Sequence, residues 1–432
     1  MMMTRKRRSL TFSVIMILVL SILVITVFLL LFVNFDFLNK KSIHEDAKAY
    51  KTRHCMAFYP DSEDGLSMAK QICKGVKDDS IYDYTLIPYG DYYLINYGGE
   101  HSFFADKDYK KIEVNEISDD GKKIINDYVR YTFKKEQPNK YYNSDFIKNL
   151  TPDKLDFSQI TYGIEGESLK VNIPQYEMEL LIPLKYMQKE LRMNFGFTDE
   201  LYRKPVYLDP DENHPLICIT FDDGPYLWDY QDHTSTEKIV SLLEEYDASA
   251  TFYVIGNMLE DRELWADYQV YKLLKRSIGA GNDYGSHTQS HLATLNSYSN
   301  SQDVYNEING PIAYMKDFIG YEMTTYRPVE GVFNDAVIAA QPVPAVLWDV
   351  DSEDWLSRDV NSIIDRVMSV ELETGDIIIF HDIYDETAEA LETIIPKLID
   401  QGCQLVSIND LFRYLNIDPS MISYFYSPNY YE

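Results

Sequence analysis

The chain has 432 residues, 45% of them hydrophobic and 25% charged, with a formal net charge of −29. That length exceeds one ordinary domain of about 100–200 residues, and the composition excludes a chain that cannot build a core. The negative balance excludes nucleic acid as a partner, because phosphate binding needs a basic face.

Arg5, Lys6, Arg7 and Arg8 precede an uncharged apolar run, Leu10–Val33. At about 1.5 Å per residue such a run crosses a hydrocarbon core of about 30 Å. The basic flank keeps residues 1–9 cytoplasmic and sends the remainder outside. A cleaved signal peptide is the competing reading, but its apolar core is shorter, about 7–15 residues, and ends at small residues. Asn34-Phe35-Asp36-Phe37 offers no such site, so residues 10–33 read as an uncleaved transmembrane signal anchor.

Residues 34–78 are polar and mixed in charge and read as a stalk, with a helix around Gly65 to Val76. Cys55 and Cys73 fall here; they could form a disulfide outside the cell, but their spacing alone does not decide it and two thiols are the leading expectation. No cysteine pair has C-x-x-C spacing, which argues against a zinc-thiolate or thioredoxin-type site. Residues 79–199 read as a small α+β domain. The alternating, tyrosine-rich Thr85–Gly99 predicts one or two strands, Asp119-Asp120-Gly121 caps a helix over Ile124–Phe133, and Leu155–Met187 predicts short strands and then a helix. No converging His, Asp or Cys set appears in this stretch.

Residues 200–418 alternate strands and helices, before a tail at 419–432. Leu216–Phe221, Ala250–Gly256, Thr324–Pro328, Ala345–Val350, Asp376–Asp382 and Gln404–Ile408 read as strands. Helices are expected over Thr236–Tyr246, Glu263–Ser277, Asp303–Phe318 and Glu386–Gln401. This order predicts an α/β domain with a parallel sheet, either a barrel or doubly wound. Cys218 sits in an apolar strand and reads as core. In such folds the chemistry gathers at the carboxyl ends of strands. Asp222 and Asp223, His287 and His291, Arg327, Asp349, Asp351 and Asp354, and His381 all fall at such ends.

His287 and His291 are spaced as two imidazoles one helical turn apart, which suits a divalent metal with open positions. Asp222-Asp223-Gly224-Pro225 taken alone is also compatible with an ordinary turn. The set carries more than either part.

The set resembles the polysaccharide deacetylases, the NodB-homology domain of carbohydrate esterase family 4. Thr220-Phe221-Asp222-Asp223-Gly224-Pro225 is similar to the family's first motif, and Ser286-His287-Thr288-Gln289-Ser290-His291 to its second. Arg327-Pro328-Val329-Glu330-Gly331, Trp348-Asp349-Val350-Asp351-Ser352-Glu353-Asp354-Trp355 and Ile379-Phe380-His381-Asp382 are similar to the third, fourth and fifth, in family order. The resemblance covers about half of the chain. It implies a distorted (β/α) barrel and a metal, commonly zinc and in some members cobalt or nickel, held by Asp223, His287 and His291. It further implies Asp222 as general base and His381 as general acid. Arg327 would orient Asp222, and Asp354 would pair with Arg327. A backbone N–H at Glu330 would help to hold the oxyanion, and Trp355 and Ile379 would surround the acetyl methyl group. Asp354–Arg327 also reads as a plain structural ion pair, and Trp355 and Trp348 also read as core.

The third motif departs from the usual form, with Val329 in place of proline and Glu330 in place of an aromatic residue. The stretch Leu227–Thr234 is longer than usual after the first motif; there Trp228 could stack on a sugar, and Asp229, Asp232 and His233 could reshape the groove. Residues 79–199 loosely resemble the accessory domain of some Gram-positive peptidoglycan deacetylases, as a spacer or wall-contacting module. The expectation is an anchored extracellular enzyme acting on acetylated cell-wall glycan, with N-acetylglucosamine of peptidoglycan the leading substrate. The alternatives are another glycan (exopolysaccharide, chitin-like oligomer or O-acetylated xylan) or an inactive glycan-binding protein. No G-x-G-x-x-G run suggests a nucleotide cofactor.

Overall fold

A computed structural model describes residues 48–426 apart from 53–54, 76–81, 98–100, 107, 109, 112–113, 115–116, 166, 198–199, 227–233 and 260–263. The expected anchor, Leu10–Val33, lies outside the described residues, as do Trp228, Asp229, Asp232 and His233. Among the described residues no helix is long and apolar enough to cross a membrane.

The chain divides into two compact units. Of the described residues, the smaller takes those up to 114 and those within Gly163–Leu169 and Arg192–Phe197; the larger takes those within Glu116–Tyr162 and Lys170–Leu191 and those from 200 onward. In the smaller unit β1 (Lys48–Lys51), β2 (Cys55–Tyr59), β3 (Tyr82–Tyr89), β4 (Tyr92–Tyr97) and β5 (His101–Ala105) form one sheet in that order. The helix Glu63–Gly75 buries Met68, Ala69, Ile72 and Cys73 against Cys55, Ala57, Leu86 and Ile95. Cys55 and Cys73 are joined as a disulfide across this core, their Cα atoms 5.2 Å apart. Part of the segment expected as stalk is therefore sheet and helix, because its apolar residues recur at strand and helix spacing.

β6 (Thr161–Glu165), β7 (Ser168–Ile173) and β8 (Met178–Pro183) make a separate three-stranded sheet. The helix Asp119–Glu136, capped by Ser118, belongs to the larger unit. There the buried Arg130 donates from Nη1 to the Glu244 carbonyl at 2.7 Å, and Ser144 N–H donates to Asp400 at 3.0 Å. These buried ties set a boundary that composition does not mark.

The site is built on a mostly parallel sheet at the centre of the larger unit. β9 (Leu216–Asp222) is buried along its length. β10 (Thr251–Val254) and β11 (Asp283–Ser286) extend the sheet on one side of it. A single-residue bridge at Tyr326 continues it to β12 (Ala345–Val346). Directly after β12 in the chain, β13 (Val350–Asp351) pairs with β14 (Ile377–His381), and β14 returns to β9. The chain itself, running from β12 into β13, joins the two ends of this pairing path, as a barrel with an irregular stave. β15 (Gln404–Val406) pairs with the start of β9, and β16 (Tyr424–Phe425) pairs with β12. β16 lies in the expected tail; Phe425 packs on Phe412 with ring centroids 4.9 Å apart and joins the core.

Alternation along β9 places Leu216, Cys218, Thr220 and Asp222 on one face. Leu216 and Cys218 join Tyr253, Val346, Ile377 and Val406 in an apolar cluster. Thr220 and Asp222 follow at the carboxyl end of the same face. The expected strands at Thr324–Pro328 and Ala345–Val350 shrink to a bridge and two short pieces. The physical reason is Arg327, whose guanidinium takes the Val346 and Leu347 carbonyls at 3.0 and 3.2 Å.

Candidate active site

Asp222 and Asp223 end β9, and the backbone turns there: Asp223 has φ +77. This conformation is uncommon for a residue with a side chain, and it points Asp223 away from the ladder. Gly224 follows under the carboxylate of Asp382, where a Cβ would meet Asp382 Oδ2 at 2.2 Å. No residue but glycine fits.

His287 follows β11 and is almost wholly buried, 3% exposed. Its Nδ1 lies 2.8 Å from the Arg327 carbonyl. A carbonyl only accepts, so Nδ1 carries a proton, and in the neutral ring that a metal requires Nε2 presents its lone pair. That lone pair faces Asp223 Oδ1 at 3.5 Å and Asp222 Oδ2 at 3.6 Å. His291 Nε2 lies 3.4 Å from the same Asp223 oxygen. The two histidines do not share a helix turn, as their spacing suggested. They sit on an irregular segment in which Thr288 (φ +69) and His291 (φ +54) are left-handed. The Thr288 hydroxyl accepts from the His291 N–H at 3.1 Å.

Asp223, His287 and His291 offer three ligand atoms within 4.8 Å of one another. Asp223 Oδ1 is buried without a hydrogen-bond partner. An imidazole lone pair aimed at an unsatisfied carboxylate oxygen calls for a cation between them. One carboxylate and two imidazoles suit a divalent metal with open positions, so the donor set fits. Without a cation there, burial opposes the charge on Asp223, and protonated histidines beside it hold its carboxyl down at about 2.

Arg327 is fully buried. Its Nη1 donates to Asp222 Oδ1 at 2.9 Å and to Thr220 Oγ1 at 2.8 Å. The guanidinium lies over the Tyr253 ring, 4.3 Å from its centroid, and near Trp348. Every edge of the guanidinium is thus engaged, and Asp222 has its cation.

Asp354 is not the partner of Arg327. It is buried below His381, which donates its backbone N–H to Oδ2 at 2.8 Å and faces Oδ1 with Nδ1 at 2.8 Å. The Thr387 hydroxyl and the Trp355 N–H complete its hydrogen bonds. Burial alone would strip the proton from His381. Asp354, with Asp222 and Asp223 adding, reverses this and lifts the ring to about 9. His381 is therefore a protonated imidazole near neutral pH, and in the sheet it lies in register with Asp222.

Ile379 is buried on the face of β14 that carries His381, two residues earlier. Trp355 is half exposed, at 51%, so it is not core. Glu330 is exposed and left-handed, with φ +58. Asp349 and Asp351 serve the backbone: Asp349 Oδ2 accepts from the Ile377 N–H, and Asp351 Oδ1 from the Glu353 N–H.

Thr220 and Asp382 fall inside the first and fifth motifs but carry no assigned role in the sequence reading, and Glu307 was not singled out. Thr220 could have been found, since it shares the β9 face with Asp222. Asp382 follows His381 directly, and burial pushes its carboxyl up to about 7 while the Thr236 hydroxyl donates to it. Glu307 has a weaker signal: a carboxylate on the apolar stripe of its helix.

A family described as polysaccharide deacetylase matches residues 209–342. The chain is 36% identical over 262 residues to the peptidoglycan-N-acetylmuramic acid deacetylase PdaC of Bacillus subtilis, covering 60% of this chain and 52% of that protein. It is 32% identical over 196 residues to the peptidoglycan-N-acetylglucosamine deacetylase PgdA of Listeria monocytogenes, covering 45% and 38%. It is 33% identical over 210 residues to a peptidoglycan-N-acetylglucosamine deacetylase of Bacillus cereus, covering 47% and 90%. The chain thus spans about half the length, or less, of the first two of these relatives.

Proposed function

Because the chain belongs to the polysaccharide deacetylase family, we propose that it hydrolyses N-acetyl groups of cell-wall glycan, with N-acetylglucosamine of peptidoglycan as substrate. The products are acetate and a free amine on the sugar. The observation that carries this reading is the pair of opposed proton-handling groups at adjacent strand ends, beside a cation-ready donor set. Asp222, fixed by Arg327, is a carboxylate placed to take a proton from an attacking water. His381, held protonated by Asp354, is placed to give a proton to the departing amide nitrogen, which otherwise leaves poorly. A divalent cation, zinc in this reading, would polarise the acetyl carbonyl and acidify water when held by Asp223, His287 and His291. Trp355 and Ile379 supply apolar surface for the acetyl methyl, and the backbone at Glu330 a donor for the developing charge.

A second substrate, N-acetylmuramic acid of peptidoglycan, is favoured by the likeness to PdaC. In the same reading, Leu10–Val33 anchors the protein with its catalytic unit outside the cell, supported by the length of that run and its basic flank. The test is a substrate panel: peptidoglycan, chitin-like oligomers and O-acetylated xylan, with acetate and free amine measured for each. Amine formation on peptidoglycan above the other glycans supports the proposal. Activity confined to xylan, which yields acetate and no amine, would contradict it.

A further inference from the structure

The segment that carries both histidines has an anchor that their chemistry does not require. Ser290, the residue before His291, donates its backbone N–H to Glu307 Oε2 at 2.9 Å. Its hydroxyl donates to Glu307 Oε1 at 2.9 Å and lies 3.0 Å from Oε2. Both oxygens of one carboxylate are thus spent on one serine.

Glu307 stands on the helix Ser301–Ile319, whose buried residues include Val304, Ile308, Pro311 and Met315. It lies three residues after Val304 and four before Pro311, on the helix face that packs inward. Packing alone would put an apolar residue there. The same helix carries Gly310, where a Cβ would come within 2.1 Å of Gln289 Oε1, and Gly256 clears the other side of that amide at 2.2 Å. Backbone bonds from Gly256 N–H to the Thr288 carbonyl (3.0 Å) and from Asn257 N–H to the Gln289 carbonyl (2.8 Å) close the cage. Residues 288–291 are therefore gripped from two elements.

The grip has a reason. Thr288 and His291 are both left-handed, and residues with side chains keep that conformation only where the surroundings hold them. His287 is fixed independently, by burial and by the Arg327 carbonyl. The His291 side chain is 33% exposed, and its contacts are with the other two donors, Asp223 Oδ1 at 3.4 Å and the His287 ring at 4.8 Å between centroids; its backbone N–H is held by Thr288. The ligand with least support of its own is the one beside the Glu307 clamp.

We propose that Glu307 is a positioning residue for the metal: by clamping Ser290 it sets His291 in ligating geometry. This rests on the metal reading of the site given above. The hydrogen bonds of Glu307 go to Ser290 and not to the ligand atoms, so its effect passes through Ser290 to the imidazole. Groups that orient metal ligands in this way typically set affinity by about 10–100-fold.

The test uses the full chain, freed of metal, and measures zinc affinity by competition with a chromophoric chelator. The variants are Glu307→Ala, Glu307→Gln, Ser290→Ala and the double alanine variant, each checked by thermal melting without metal. Glu307→Ala is expected to weaken zinc about 10–100-fold. Glu307→Gln keeps one acceptor oxygen for the Ser290 N–H and should recover part of that loss. It also carries the test if the alanine variant does not fold. Ser290→Ala keeps its N–H, so it should lose less, and the double variant should lose less than the two single losses combined. Zinc affinity unchanged in folded Glu307→Ala or Glu307→Gln, with the wild type binding normally, would overturn the inference while leaving the metal reading intact. So would full additivity in the double variant. Failure of the wild type itself to bind zinc would remove the metal reading, and this inference with it.

Discussion

His381 and Asp354 are joined twice, Nδ1 to Oδ1 and backbone N–H to Oδ2, each at 2.8 Å. The first contact sets the protonation of the ring and the second sets its position. Asp354 therefore does for His381 what Arg327 does for Asp222: a buried partner of opposite charge fixes each working group.

The first prediction is the pH dependence. His381 is held up to about 9, against an ordinary value of 6.5, with Asp354 opposing burial and Asp222 and Asp223 adding. Activity that needs its proton is present below that value and falls as pH rises through it. Asp354→Asn removes the main opposing charge, so the alkaline limb of kcat/KM should move to lower pH. The same sign holds for stability: a raised histidine stabilises the fold fully below about 6.5 and loses this as pH passes about 9. A kcat/KM profile across alkaline pH checks it; an unmoved limb in Asp354→Asn would assign the proton to another group.

Replacing His381 by alanine should lower kcat by about 10²–10⁴-fold, the ordinary contribution of a general acid. Zinc affinity should stay close to that of the wild type, because His381 is not among the three ligand residues. Steady-state kinetics beside the chelator competition separate the two quantities.

Arg327→Ala leaves Asp222 buried without its cation, and should destabilise the larger unit by about 3–5 kcal/mol. Arg327→Lys should lose activity as well, since one ammonium cannot reach Asp222, Thr220 and two carbonyls together. Urea unfolding of both variants measures this. A loss under about 1 kcal/mol for alanine would mean that solvent reaches the pair.

Much of this was legible in the sequence and some was not. β9, β10 and β14 show as apolar runs, and the reactive residues at their ends follow from the logic of parallel sheets. The ordered motifs pointed to Asp223, His287 and His291, and the structure brings their donor atoms together. Partner choice was not legible. Arg327 reaches Asp222 across 105 positions and Asp354 reaches His381 across 27, and only the closed barrel decides which carboxylate meets which cation. The spacing of His287 and His291 suggested a helix, whereas the grip on Thr288 to His291 imposes a loop. The pieces of strand around Arg327 are short because its guanidinium draws in their carbonyls. Phe425 joins the core from a segment whose composition looks like a tail.

The disulfide gives a prediction for the smaller unit. Cys55 and Cys73 are 18 positions apart, and closing a loop of that size stabilises by about 2–4 kcal/mol. Cys73→Ser should lower the unfolding midpoint of that unit, read by denaturant titration, with zinc affinity unchanged.

The central claim is that Asp222 and His381 move the protons of a metal-dependent deacetylation. The measurement is acetate and free amine release from N-acetylated peptidoglycan by the full chain loaded with zinc, beside Asp222→Asn, His381→Ala and a chelated sample. The account predicts one amine per acetate from the wild type, near-complete loss in both variants and after chelation, and recovery when zinc returns. Undiminished release by either variant, or by the metal-free chain, would contradict it.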